Sequence, residues 1–149
     1  MNTTEKGNRF RDEVAHLLIV ANYLNVQKEI HVGHKNVDVY FEERELGFVR
    51  KTVVECKDYS KPLTKEHLQK IYSDYNPLID SREAHSVLVV ARHPLQLTAE
   101  EYFQSLRNFR FITYSDLENS LMDFSNYIRG VSSKFKERSL DEYYIDPTY

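Results

Sequence analysis

The chain is short of cysteine, glycine and proline: one, four and four in 149 residues. A single thiol, Cys56, excludes an internal disulfide and fits a reducing compartment. So little glycine and proline, beside 29% charged residues, excludes collagen-like and low-complexity architectures and points to regular structure. No apolar run approaches the roughly 20 residues of a membrane span. The opening MNTTEKGNRF has no apolar signal-peptide core, which places the expected location in the cytoplasm. A basic excess is missing too, since the net charge is −3. The balance is uneven: residues 1–70 carry twelve basic and eleven acidic side chains, the rest eight and twelve. If first-half carboxylates hold a cation, the surface around them suits phosphate better than the total suggests.

What is present is a pattern of alternating elements. With 41% hydrophobic residues the chain can bury one core without staples, so one domain is expected. In RFRDEVAHLLIVANYL, the residues Phe10, Val14, Leu17, Leu18 and Ala21 lie on one helical face. NVQKEIHVGH and KNVDVYFEE flank the turn signal GHKN and read as a hairpin, and RKTVVECKDY supplies a third strand. Thr64 is placed to cap a second helix carrying Leu68, Ile71, Tyr72 and Tyr75, with a stop near Pro77. HSVLVVARHP reads as a buried central strand. A helix capped by Thr98, a strand FRFITY and a last helix capped by Ser115 follow. The order α-β-β-β-α-β-α-β-α defines an α/β fold, a mixed sheet of about five strands flanked by helices.

The third strand raises a chemical question, because TVVECKDY closes an apolar run with a glutamate and a lysine. Strand alternation puts Val53, Glu55 and Lys57 on one side and Thr52, Val54 and Cys56 on the other. Glu55 and Lys57 are then about 6–7 Å apart along the backbone. In the preceding strand Asp38 and Tyr40 share one side, and Val37, Val39 and Phe41 the other. If the two strands pair as a meander, Asp38, Glu55 and Lys57 converge at one end of the sheet. Two carboxylates are hard oxygen ligands for Mg²⁺ or Mn²⁺. Such an ion lowers the pKa of a bound water, and a nearby lysine stabilises developing negative charge. As an ordinary exposed ion pair, Glu55 and Lys57 would instead contribute about 0–1 kcal/mol.

An aspartate, a spacer of sixteen residues (39–54) and Glu-x-Lys closing an apolar strand resemble the PD-(D/E)xK nuclease superfamily. KGNRFRDEVAHLL is similar to the helix that precedes the metal strands in Mrr-like restriction endonucleases, and the likeness covers roughly Gly7 to Arg92. The resemblance implies a restriction-endonuclease-like core and a Mg²⁺- or Mn²⁺-dependent endodeoxyribonuclease acting on DNA. It implies Asp38 and Glu55 as metal ligands and Lys57 as the catalytic lysine. The family often adds an acid on the first helix, for which Glu13 is chosen over Asp12. Many relatives place that acid directly after the phenylalanine, where this chain has Arg11. A glutamine on the helix after the lysine strand takes part in some relatives, which nominates Gln69. A binding module of the same fold that grips nucleic acid or protein without cutting is the alternative.

The likeness also suggests an organisation. Residues 1–135 are expected to form the nuclease domain, and 136–149, ending YYIDPTY, a linker toward a downstream module. Related domains stand ahead of STAND-type nucleotide-binding modules in bacterial antiviral proteins. That implies a regulated defence effector that self-associates through its own surface or through such an NTPase.

Overall fold

The computed structural model describes residues 3–121. The boundary at 135 and the tail 136–149 lie outside the described residues, as does the last helix beyond Leu121. The elements are α1 (Thr3–Val20), β1 (Leu24–Val32), β2 (Lys35–Glu45), β3 (Phe48–Lys57), α2 (Lys65–Asp80), β4 (Ser86–Ala91), α3 (Leu97–Gln104) and β5 (Phe109–Thr113). Residues 114–121 form the described part of α4. The sheet runs β1-β2-β3-β4-β5, antiparallel from β1 to β3 and parallel from β3 to β5. This is the mixed five-strand α/β architecture that the order of elements implied.

Helices cover both faces. Phe10, Val14, Ala15 and Leu18 of α1 pack with Leu117 and Leu121 of α4 on Val39, Phe41, Val54, Leu88 and Val90. On the other face Leu68, Ile71, Tyr75 and Leu78 of α2 join Ala99 and Phe103 of α3 on Tyr40, Val53, Val87, Val89 and Phe109. Each fully buried Val, Leu, Ile or Phe among these contributes about 1.5–3 kcal/mol. β4 is buried at all six positions, as its unbroken apolar run requires. No described helix is long and apolar enough to cross a membrane.

Local chemistry sets the element ends, in several places differently from expectation. The β1–β2 hairpin turns at Gly33, whose φ of +58° favours glycine and where a Cβ would strike the Glu83 carboxylate. Thr64 caps α2 as expected: its Oγ1 accepts from the His67 N–H (3.2 Å), and His67 Nδ1 accepts from the Thr64 N–H (3.0 Å). Pro77 does not stop α2, which continues to Asp80. Near a C-terminus proline removes one N–H only, and the Ser81 N–H still reaches the Pro77 carbonyl (3.0 Å). α3 begins one residue before Thr98, with extended Gln96 at its cap position and no side-chain cap bond. α4 is capped by Thr113 rather than Ser115: Thr113 Oγ1 accepts from the Asp116 N–H (3.1 Å). Thr113 ends β5 and already has the extended backbone that a cap needs. α1 starts at Thr3, ahead of its apolar face, because its exposed first turns carry no apolar period to read.

Candidate active site

β2 and β3 pair in register from Glu45–Phe48 to Val39–Val54, and there the ladder ends. One step further the register sets Asp38 opposite Glu55. The Cys56 N–H is satisfied by Asp38 itself, donating to Oδ2 at 2.8 Å. Alternation slips at this point: Val37 packs on the α2 side with Tyr40 and Val53, while Val39 and Phe41 pack on the α1 side. The expectation that Val37 shares their side is corrected. β1 keeps one register across this point, Ile30–Val37 and Lys28–Val39, with Glu29 between them at φ +50°. A non-glycine residue in that conformation costs on the order of 1–3 kcal/mol.

On β3 the alternation holds. Glu55 lies on the α2 side, where its Oε2 accepts from the Tyr75 hydroxyl and its Oε1 sits 3.0 Å from Lys57 Nζ. Both carboxylate oxygens are therefore fixed. Burial and then the charge of Glu55 raise the Asp38 pKa to about 6, against the opposing pull of the Cys56 N–H, Lys57 and Arg11. Burial disfavours the Lys57 ammonium, but the charge and hydrogen bond of Glu55 outweigh it and the lysine pKa is raised. Burial, then Glu55, also raises Tyr75, which stays a hydrogen-bond donor. Half-buried Cys56 packs toward α1, and its thiol is pushed well up by burial and then by Asp38 and Glu55, so it is a core group and no nucleophile.

The structure thus brings together Asp38, Glu55 and Lys57 of the five nominated residues. Glu13 is held elsewhere, by Arg92 Nη2 (3.2 Å) and Arg9 Nε (3.6 Å). The same Arg92 binds Asp58 through Nε (3.0 Å) and lies over the Phe10 ring, 4.3 Å from its centroid. Glu13 is therefore one end of a strut tying α1 to the ends of β4 and β3. Gln69 is exposed on α2, and among the described residues no hydrogen bond or ion pair joins it to the trio.

Two residues enter that sequence reasoning missed. Tyr75 was read as core, and it is buried, but its hydroxyl holds Glu55. The available signal was that a core tyrosine must find a partner for its hydroxyl. Arg11 is 9% exposed on the inward face of α1, and its charge reaches both Asp38 and Cys56. Beyond Lys57 the chain turns over an open cavity of about 360 Å³ lined by Lys6, Asp58, Tyr59, Lys61 and His67 among others. Lys57 lies over the Tyr59 ring, which meets His67 edge-on. A larger cavity, about 550 Å³ around Leu95, Phe103 and Phe111, lies away from these carboxylates.

The sheet thus carries two acids facing each other across the antiparallel β2–β3 pair, with a lysine two residues further along β3. Residues 3–121 match the Mrr_cat family, described as restriction endonuclease, and the chain belongs to that family. A crystal structure titled as Protein of Unknown Function AF1548 is similar in fold, with a TM-score of 0.58 at 15% identity. The match covers 74% of this chain and 59% of that one, so this chain spans less than two thirds of it. No curated protein matches.

Proposed function

We propose that the protein is a Mg²⁺- or Mn²⁺-dependent endodeoxyribonuclease of the cytoplasm whose working residues are Asp38, Glu55 and Lys57. The observation that carries this reading is the meeting of Asp38 and Glu55 across two strands with Lys57 hydrogen-bonded to Glu55. Family membership supports hydrolysis of a nucleic-acid backbone. Two hard oxygen donors, one with its pKa pushed up to about 6 by burial and its neighbour's charge, fit a divalent cation. Among the described residues no group of three or more His, Cys, Asp or Glu lies together. When bound, the ion supplies a water of lowered pKa and offsets charge at phosphorus.

The chain's own groups do the rest. The Cys56 N–H and the Tyr75 hydroxyl fix the two carboxylates, so little reorganisation precedes binding. Lys57 keeps a protonated amine where negative charge develops on the phosphate. Lys6, Lys61 and His67 line the adjoining cavity and give the DNA backbone a basic approach. Glu13 and Arg92 position the end of β3, and Gln69 stands outside the working set. Because one site cuts one strand at a time, cutting both strands together takes two copies, and self-association belongs to this reading. A defence role and a downstream NTPase module rest on the family likeness alone.

The test is incubation with supercoiled plasmid, with and without Mg²⁺, over a range of protein concentrations. Cleavage is expected in Mg²⁺, absent in EDTA, and steeper than linear in protein for double-strand cutting. Binding without cleavage, in Mg²⁺ and equally when Mn²⁺ replaces it, would leave the binding module in its place.

A further inference from the structure

Arg11 is a buried cation on the inward face of α1. Its guanidinium donates to Asn8 Oδ1 (3.2 Å) and, through Nε and Nη2, to Asp12 Oδ1 (3.1 and 3.0 Å). Asp12 would already neutralise it. Yet Nη1 also pairs with the carboxylate of Glu29, which reaches in from the edge strand β1 with a side chain 66% exposed. Glu29 does so from the left-handed backbone at φ +50°, at the register position opposite Asp38. A solvated acid in a strained conformation therefore occupies the open side of a guanidinium whose charge bears on Asp38 and Cys56. Lys28, half exposed, pairs with Asp12 at 3.2 Å and adds a second cation on the same rim.

A phosphodiester presents to an arginine fork the same charge and the same pair of oxygens as a carboxylate. Resting on the nuclease reading above, we propose that Arg11 is a phosphate-binding residue of this site, and that Glu29 holds its place until a DNA phosphate displaces it. The exchange breaks one ion pair and forms another. Asp12 remains on the far side to keep the guanidinium aimed, and Glu29, on an exposed edge, returns to water. Removing Glu29 should thus help DNA bind and removing Arg11 should hinder it, with the first effect depending on the second.

The experiment is a double-mutant cycle in the Lys57→Ala protein, which keeps the duplex intact, read by fluorescence anisotropy of a labelled DNA duplex across a salt series. Glu29→Gln is expected to tighten binding several-fold. Arg11→Gln is expected to weaken it about tenfold and to reduce the salt slope by about 1. The double variant should match Arg11→Gln, with no gain from Glu29→Gln, which a merely structural pair would not produce. Should Arg11→Gln fail to fold, Glu29→Gln and Arg11→Lys decide the matter. Unchanged or weaker binding in Glu29→Gln, with binding intact in the Lys57→Ala parent, overturns this proposal alone. A parent that binds no duplex at any salt removes the nuclease reading and this proposal with it.

Discussion

β3 and β4 lie side by side and parallel, in register from Thr52 beside Ser86 to Lys57 beside Ala91. Their first halves are alike. The hydroxyls of Thr52 and Ser86 meet at 2.7 Å, and Val53 and Val54 stand beside Val87 and Leu88. Their second halves are not: Glu55, Cys56 and Lys57 stand beside Val89, Val90 and Ala91. The two strands share a sheet, a level and helices on both sides, and β4 shows that apolar residues satisfy packing there. The polar end of β3 is therefore no packing solution. It needs Tyr75 and Lys57 to satisfy Glu55, and it leaves Asp38 beside a like charge.

The comparison can be broken from either side. The largest expected effect is on chemistry: Asp38→Ala and Glu55→Ala should each lower plasmid cleavage in Mg²⁺ by about 10²–10³-fold or more, with the circular dichroism spectrum unchanged. Making β3 resemble β4 should do the opposite to stability. Glu55→Val with Lys57→Ala and Tyr75→Phe removes a half-buried ion pair and its donor together, and should stabilise the metal-free protein by about 1–4 kcal/mol in urea unfolding. A loss of stability there would mean that the polar end serves the fold.

A smaller effect follows from Asp38. Its folded pKa is about 6, raised above the unfolded value, so the folded state holds the proton more tightly. Stability from this group is greatest below about pH 4 and falls by about 2–3 kcal/mol as pH rises to 6. Asp38→Asn should be free of that fall, measured as the difference between the two proteins from pH 4.5 to 7.5. Added Mg²⁺ at pH 7.5 should restore the wild type and leave Asp38→Asn unmoved. The smallest effect belongs to Tyr75→Phe, which leaves Glu55 Oε2 without its donor at a cost of about 1–2 kcal/mol in the same unfolding assay.

The meeting of Asp38 with Glu55 was legible from the antiparallel step between neighbouring strands, and that of Glu55 with Lys57 from alternation along β3. So was the Thr64 cap, a local signal. The side taken by Val37 was not, because strict alternation along β2 fails between Val37 and Val39 and no residue there signals it. Arg11 was hidden because polar residues on a helix are read as solvated, whereas it is buried and paired with Asp12 beside it and with Glu29 from another element. Glu13 was nominated for the site on its place in α1 alone, but its partner Arg92 lies 79 residues away. Caps moved from Ser115 to Thr113 and from Thr98 to Gln96 because extended backbone, set by the preceding strand or loop, outranks residue type.

The most direct test of the central claim separates chemistry from metal binding at Lys57. Cleavage of supercoiled plasmid by wild type and Lys57→Ala would be measured at saturating Mg²⁺, with Mg²⁺ affinity of both proteins taken by calorimetry. The account predicts similar Mg²⁺ affinity and a rate lower by about 10²–10³-fold in Lys57→Ala. A Lys57→Ala protein that cuts as fast as wild type, or wild-type cleavage that persists in EDTA, would contradict it.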